Sequence, residues 1–571
     1  MNRKSLQHSS CLVAVAAVLA ACSGGGSSKT TPSGSSGSSS APPASALAKH
    51  RGGTFTMLWP SAGTSIDTAT DYDTNWFVLR LTGNGLMGWR QVNGAAGNDL
   101  LPDLAVRTPT ATDAGKRYTF TIRPGIKYST GATVKASDFV YTMTREFKVP
   151  GPGVGLYANI VGAAACITKP KTCDLSKGVV ANDAARTVTF NLTAPDSDLL
   201  QKLALPFAYV VPVGTPDADT GTKPLPATGP YRIQSYRPNK SMTLVRNANF
   251  TQWSAAVQPD GYPDTIVMKI GLTDEDAVTQ VEKGQADWMY DPPPTDRLNE
   301  VATKYPKQIH INSTPNIYYM AMNTRVAPFN NVKVRQAVNF ATDRKALVQL
   351  FGGARLATPS CQILPPNFPG YQPNCPYTLN PGPTWSAPDL AKAQALVASS
   401  GTKGAKVVVV GEEASKAVDL YFVSLLKKLG YAASLKLLSG TVAYSYVQDS
   451  RNKVQMYYSY WSPDYTAAGN FLNVQVGCNG FHAASTASPN LSEFCDPAIQ
   501  AKTAQALTTQ ATDPAAARAQ WAAIDKLTTA QAPQVTLYNP NRLNFVAARV
   551  GNFQFSPAVT ANFLIDQAWV Q

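Results

Sequence analysis

Residues that could carry out covalent or metal chemistry are few in this chain of 571 residues. Downstream of position 50 the only histidines are His310 and His482, and no HExxH, GxSxG or phosphate-binding P-loop motif occurs. Ser424 and Lys427 match the SxxK spacing of penicillin-interacting enzymes, but they lie in an apolar-periodic segment and lack a KTG partner. We therefore expect a protein that is not an enzyme and that holds no resident metal or cofactor.

Six cysteines downstream of the N-terminal region form three close pairs, and more than 100 residues separate each pair from the next: Cys166 and Cys173, Cys361 and Cys375, and Cys478 and Cys495. Six cysteines allow 15 connectivities, among which sequence alone does not choose. The spacing favours three local disulfides, which indicates an oxidising compartment. A zinc site is the alternative, but no CxxC occurs and His482 is the only histidine near a pair.

The N-terminal region has the composition of an export signal followed by a tether. Arg3 and Lys4 precede an apolar run at 11–21, which is too short to span a bilayer as a helix. The run ends at Cys22 in the sequence Leu-Ala-Ala-Cys, which resembles the lipobox of bacterial lipoproteins. The resemblance implies that residues 1–22 are a lipoprotein signal peptide and that Cys22 is lipidated. Residues 23–49 are rich in Ser, Gly and Pro, and we expect a flexible linker there.

The composition excludes two classes of protein. Hydrophobic residues make up 44% of the chain, which is enough for a sizeable core and excludes a wholly disordered protein. The net charge is +14, from 50 basic and 36 acidic residues, but no block of basic residues and no basic-aromatic repeat occurs. We therefore do not expect a nucleic-acid partner.

Strand-like and helix-like segments alternate from about residue 53 onward, and they must position any functional residues. Strands are predicted by alternation of apolar and polar residues at 53–58, 117–123, 186–192 and 241–246. Helical periodicity occurs at 275–283, 332–351, 388–399, 414–429 and 513–531. Mixed strands and helices in one continuous run predict an α/β fold.

Five motifs in a fixed order resemble those of the extracytoplasmic solute-binding proteins of family 5, which serve peptide and nickel ABC importers. The resemblance covers residues 50–571, and its motifs lie at 101–105 with 117–145, 227–250, 281–289, 318–348 and 456–465. The last of them, MYYSYWSPDY, is similar to the family's pocket segment GW-x-x-D.

This resemblance implies a two-lobed, class II periplasmic-binding-protein-like α/β fold with an extra domain and a ligand cleft between the lobes. By analogy, lobe I would combine 50–85, 206–312 and 540–571, the additional domain would be 86–205, and lobe II would be 313–539. Two chain crossings, near 312–317 and 533–540, would form the hinge. We expect a monomer.

The resemblance also assigns candidate ligand-binding residues. Asp464 matches the aspartate that accepts the α-ammonium of the ligand in peptide-binding members, and Trp461 matches a pocket wall. Tyr460 and Tyr465 are further candidates, because aromatic walls with a few charged anchors are typical of ligand pockets. The alternatives are an aromatic core strand for the tyrosines and a turn-capping role for Asp464 after Pro463.

The expected function is that of a lipid-anchored receptor that captures oligopeptides and delivers them to an ABC permease at the outer face of the cell membrane. Two alternatives remain. The same fold could bind a non-peptide cargo, such as a metal chelate, a sugar, heme or a glycolipid. It could also serve as a cell-envelope regulator without a transport role.

Overall fold

The computed structural model describes residues 49–72, 74–149, 151–558 and 562–570. The predicted signal peptide, Cys22 and nearly all of the predicted linker lie outside the described residues. Within the described ranges, no helix is both long and apolar enough to cross a membrane.

The first large unit, here called lobe I, is built on a five-stranded mixed sheet. In spatial order its strands are Trp288–Met289, Thr54–Trp59, Thr265–Ile270, Ser241–Arg246 and Tyr231–Arg237. Thr54–Trp59 runs parallel to both of its neighbours, so Trp59 and the residue after Met289 leave the sheet at the same edge. In that strand the alternating residues Phe55, Met57 and Trp59 are buried, which explains the predicted period of two.

The second large unit, lobe II, is built on a seven-stranded sheet. Its order is Ile309–Ser313, Gln534–Phe545, Ile317–Met322, Met456–Trp461, Lys406–Glu412 and Ala432–Leu438, and Ala357–Pro359 also pairs with Gln534–Phe545. Lys406–Glu412 is parallel to both of its neighbours, so these three strands end at one common edge. The crevice outside the carboxyl ends of parallel strands is where open α/β sheets bind ligands.

A smaller unit packs against lobe I. It contains the antiparallel strands Arg117–Thr121, Thr187–Asn191 and Val179–Asn182, together with the helix Ala136–Lys148. Its core is aromatic, with the rings of Phe120 and Phe190 in edge-to-face contact at 5.8 Å. Three further two-stranded ladders pair Met87–Trp89 with Leu100–Pro102, Val550–Gly551 with Trp569–Val570, and Phe555–Ser556 with Asn562–Phe563.

The α-helices of the described residues are Trp76–Thr82, Ala136–Lys148, Ala163–Thr168, Leu199–Lys202, Asp274–Glu282, Thr295–Lys304, Val332–Ala341, Arg344–Phe351, Leu390–Ser400, Lys416–Lys428, Gly440–Gln448, Pro497–Thr512 and Pro514–Gln531. The helix predicted at 332–351 is divided in two. Asp343 caps the second half by accepting a hydrogen bond from the Ala346 amide, a role that aspartate fills well. Asp513 caps the last helix in the same way.

The long strand Gln534–Phe545 joins the two lobes. Its first part pairs with Ile317–Met322 inside lobe II, and its last part pairs with Ile309–Ser313 near lobe I. The two chain crossings therefore lie side by side, as two connected strands. The exact domain bounds given by analogy stay a prediction.

The cysteines form three local disulfides. Cys166 is bonded to Cys173, Cys361 to Cys375, and Cys478 to Cys495, with Cα atoms 4.4–4.9 Å apart. This is the pairing that the spacing favours, and it leaves none of the six thiolates for a zinc ion.

Arg335 and Arg344 have a structural role that rests on hydrogen bonds to backbone carbonyls. Both side chains are buried, and both donate to backbone carbonyls. Arg344 bonds the carbonyls of Ser360 and Thr536, while Arg335 bonds that of Gln531. Each guanidinium therefore ties a helix to the strands and loops of lobe II, where carbonyl groups rather than carboxylates supply the acceptors.

Candidate functional site

The candidate residues follow one another at the end of an interior strand of lobe II. Met456–Trp461 lies between Ile317–Met322 and Lys406–Glu412, so its path is fixed by hydrogen bonds on both sides. Trp461 is its last residue, and the chain then leaves the sheet and reaches Asp464 three residues later. Both side chains are therefore presented at the carboxyl edge of the sheet.

Asn470 holds Trp461 and Asp464 in a fixed relation. The Trp461 indole donates to Asn470 Oδ1 at 2.9 Å, and Asn470 Nδ2 donates to Asp464 Oδ2 at 3.0 Å. The Asp464 backbone amide also donates to Asn470 Oδ1, at 3.3 Å. Because Asn470 is only 1% exposed, this amide is a clamp that holds the carboxylate in one orientation.

The second oxygen of Asp464 is contacted from the other side of the cleft. The Tyr72 hydroxyl donates to Asp464 Oδ1, and the two residues are 392 positions apart in the sequence. The Tyr72 ring packs against Trp76 and Phe207, at centroid distances of 5.4 and 6.1 Å. Asp464 is thus a carboxylate at which lobe II meets lobe I.

The loop that carries Tyr72 is held by a buried ion pair. Arg145 donates to both oxygens of Asp67, at 2.9 and 2.5 Å, and the amides of Ala69 and Thr220 donate to the same carboxylate. Burial alone would raise the pKa of Asp67, but the hydrogen bonds and the charge of Arg145 outweigh it and lower the pKa. The loop therefore has a fixed anchor five residues before Tyr72.

Tyr460 and Trp461 add aromatic surface at the end of the strand Met456–Trp461. Tyr460 is 40% exposed, and its ring lies 5.6 Å from that of Tyr318 on the neighbouring strand. Tyr318 in turn packs on Tyr458 and Tyr538, at 5.8 and 5.1 Å. Trp461 is partly exposed, with its indole nitrogen turned toward Asn470. Because successive residues of a strand point to opposite faces, Tyr460 lies on the face of Tyr318 and Trp461 on the face of Asn470.

Tyr465 occupies a different environment from its neighbours. It is only 5% exposed and belongs to the core shared with the smaller unit. Burial and the nearby carboxylate of Asp198 raise the pKa of the Tyr465 phenol well above its usual value. Burial likewise raises the pKa of Asp198 to about 6, although a hydrogen bond from Gln510 opposes the shift. This position suits a role in docking lobe II on the smaller unit.

Lobe I contains an aromatic cluster that the sequence motifs do not identify, and Tyr290 is its partly exposed member. Tyr290 lies 5.1 Å from Phe77, 5.4 Å from Trp59 and 5.7 Å from Trp288, measured between ring centroids. Trp59 and Tyr290 stand at the carboxyl ends of adjacent parallel strands, in the position expected of a ligand crevice. The feature of the sequence that could have identified these two residues is an aromatic side chain at the end of each strand.

The chemistry of the site is that of binding. Among the residues that the structure describes, no group of three or more His, Cys, Asp or Glu side chains is placed to hold a metal ion. What the site offers is a pre-oriented carboxylate with Trp461 of lobe II on one side and Tyr72 on the other. Such a site can receive a cationic group together with apolar surface.

Comparison with curated proteins gives several relatives at about one quarter identity. The chain is 26% identical over 328 residues to the dipeptide-binding protein of Escherichia coli strain K12, which covers 53% of this chain and 55% of that protein. It is 26% identical over 305 residues to the glutathione-binding protein GsiB of Salmonella typhi, with 51% of each chain covered. The chain thus spans about half the length of these relatives, which are named as binding proteins rather than enzymes.

Solved structures with the same fold match nearly the whole chain. The clavulanic acid biosynthesis oligopeptide binding protein 2 superposes with a TM-score of 0.80 at 24% identity, covering 91% of this chain and 96% of that one. The DppA protein of Helicobacter pylori, solved with the peptide STSA, gives a TM-score of 0.68 at 19% identity, covering 92% and 100%. These likenesses establish the two-lobed α/β fold.

The family assignment rests on a match to more than half of the chain. Residues 99–483 match the family model described as bacterial extracellular solute-binding proteins, family 5 Middle. This range includes the strand Met456–Trp461, Asp464 and the clamp residue Asn470. The chain therefore belongs to the bacterial extracellular solute-binding proteins of family 5.

Proposed function

We propose that this protein is the peptide-binding component of an ABC importer, and that Asp464 accepts the α-ammonium of the peptide. The observation that carries the proposal is the pre-oriented carboxylate at the junction of the two lobes. A ligand ammonium that reached Asp464 Oδ1 would take the place of the Tyr72 hydroxyl, while Asn470 would keep its bond to Oδ2.

The surrounding walls support a receptor of broad specificity. Peptides share an α-ammonium whatever their side chains, so one fixed anion and adaptable walls are sufficient for binding. Tyr460, Trp461 and Tyr290 supply large aromatic surfaces that accept many side chains without specific hydrogen bonds. The names of the relatives, which include dipeptide-binding and oligopeptide-binding proteins, support the same class of ligand.

Native mass spectrometry of protein purified from its own host tests the proposal. We expect a population with added masses that fragment to amino-acid sequences, because two-lobed binding proteins enclose their ligand. Calorimetry with a panel of di- to pentapeptides should then show binding by many sequences. Retention of heme, a sugar or a lipid instead, together with no heat from any peptide, would contradict a peptide receptor.

We further propose that Cys22 carries a lipid that tethers the receptor beside its permease. The chemistry of the lipobox requires the thiol, so a Cys22→Ser protein is expected to lose the acyl chains and appear in the soluble fraction. Each buried CH₂ group of an acyl chain contributes about 0.8 kcal/mol to membrane binding. Fractionation after a salt wash, with Cys11→Ser as the matched control, measures this. A Cys22→Ser protein that still sediments with membranes would remove the lipid anchor from the proposal.

A further inference from the structure

Asp198 of the smaller unit makes a second contact with lobe II, apart from the one between Tyr72 and Asp464. Its Oδ1 accepts a hydrogen bond of 2.6 Å from Nε2 of Gln510, which lies on the helix Pro497–Thr512 of lobe II, 312 positions away in the sequence. The Gln510 amide is held from its other end, because its Oε1 accepts a bond of 2.8 Å from the Trp521 indole. Gln510 therefore presents its donor to Asp198 in one orientation.

Lobe II forms a pocket around this carboxylate. A Cβ atom on Gly469 would lie 3.0 Å from Asp198 Oδ2, so the absence of a side chain there makes room for the carboxylate. Tyr465 borders the pocket: burial raises the pKa of its phenol, and the charges of Asp198 and Asp464 add to the shift. Asp198 itself is only 5% exposed. The pocket thus encloses one carboxylate that the smaller unit supplies.

The enclosed carboxylate has no counter-ion. Among the residues that the structure describes, no ion pair joins Asp198 to a cation, and Lys202 pairs instead with Asp196 at 2.7 Å. Toward Asp198 lobe II presents neutral groups, the Tyr465 phenol and the Gln510 amide. A charged carboxylate without a cation is costly to bury, so the ionised form of Asp198 opposes the contact between the two units.

The titration of Asp198 is therefore coupled to this contact. Burial raises the pKa of Asp198 to about 6; the charge of Lys202 opposes the shift, and that of Asp196 adds to it. When the two units separate, water reaches the carboxylate and its pKa returns toward the ordinary value. Because the pKa is higher in the joined state, joining takes up a proton, and the joined state gains stability as the pH falls from about 6 toward about 4.

We propose that Asp198 is a proton-dependent latch between the smaller unit and lobe II, which favours the closed cleft at mildly acidic pH. The smaller unit shares its core with the lobe I helix Trp76–Thr82, so its contact with lobe II opposes opening of the cleft. A protonated Asp198 can still accept the hydrogen bond from Gln510. The inference goes beyond the proposed peptide function, because the latch acts on closure whatever ligand the cleft encloses.

Small-angle X-ray scattering of the ligand-free full chain at pH 7 and pH 5 tests the latch. For the wild type we expect the ratio of closed to open molecules to rise about tenfold at pH 5, as linkage requires for this change in pKa. Asp198→Asn keeps an acceptor for Gln510 but does not titrate, so it should be equally closed at both pH values and more closed than the wild type at pH 7. Asp113→Asn, at an exposed position of the smaller unit, is the matched control and should behave as wild type.

Gln510→Glu gives the opposite change in the same pocket. It places a second carboxylate against Asp198, and two adjacent carboxylates cannot both ionise without repulsion. This variant should be more open than the wild type at pH 7 and should close again at pH 5, when the pair holds a proton. A Gln510→Glu protein as closed as the wild type at pH 7 would contradict the latch.

The outcomes separate this proposal from the proposed function. Identical scattering of the wild type at pH 7 and pH 5, or a pH response that persists in Asp198→Asn, would overturn the latch without reference to any ligand. Calorimetry with trialanine should show tighter binding by the wild type at pH 5, by up to about tenfold, and no such gain in Asp198→Asn. If trialanine and longer peptides gave no heat with any of these proteins, the peptide function would fail, while the scattering would still decide on the latch.

Discussion

Asp464→Asn is expected to weaken the binding of peptides with a free N-terminus by roughly 30-fold or more. The substitution keeps the shape of the side chain and removes its charge. An ammonium enclosed between the lobes would then face a neutral amide, and removing one partner of a desolvated pair costs about 2–5 kcal/mol. The hydrogen bond from Asn470 holds the Asp464 side chain in one orientation, so the side chain cannot turn away from the ligand.

Isothermal titration with free and N-acetylated forms of one peptide measures this effect on both proteins. Acetylation should cost the wild type a similar factor, because it removes the cation instead of the anion. The two losses should not add, since both delete the same interaction. Equal affinities in all four combinations would remove Asp464 as the ammonium site and favour a non-peptide cargo.

Tyr72→Phe distinguishes recognition of the ammonium from closure of the cleft. It keeps the ring that packs on Trp76 and Phe207 but deletes the hydroxyl that bonds Asp464. If contact between the walls is what Asp464 provides, this variant should lose affinity for free and acetylated peptides alike. If Asp464 recognises the ammonium, the selectivity for free over acetylated peptide should survive in Tyr72→Phe and disappear in Asp464→Asn.

Much of the fold could be predicted from sequence because its signals are local. Thr54–Trp59 buries Phe55 and Met57 between less buried threonines, and Pro514–Gln531 begins with an aspartate cap and a first-turn proline. Apolar periodicity continues through Asp343, so it does not predict the division of the helix at 332–351. Only the preference of aspartate for the N-cap position marked the second start.

Only the lobe II side of the candidate site could be predicted from the sequence. Trp461 and Asp464 lie in a single motif, and their separation of three residues in the sequence keeps them close in the structure. Tyr72 reaches Asp464 across 392 residues, which no local pattern encodes. Asn470 lies only six residues after Asp464. A single asparagine after a turn can have many roles, so the sequence did not identify Asn470 as part of the site.

Asp67→Asn is expected to lower the free energy of unfolding by about 3–5 kcal/mol at neutral pH, because it leaves Arg145 buried without its anion. The side chains of the pair are 0% and 2% exposed, so water cannot replace the lost partner. Asp217→Asn is the matched control, since Asp217 pairs with Lys148 on the same helix but is 42% exposed. The control should cost less than about 1 kcal/mol.

The pH dependence of stability gives an independent test of the same ion pair. The pKa of Asp67 is lower in the folded protein than its unfolded value of about 3.9. Its contribution is therefore fully present above the unfolded pKa and is lost as the pH falls through the lower folded pKa. Urea unfolding from pH 7 to pH 3 should show the wild type converging on Asp67→Asn only at the acidic end. A constant gap between the two proteins, or no gap at pH 7, would mean that Asp67 does not anchor the loop that presents Tyr72 to Asp464.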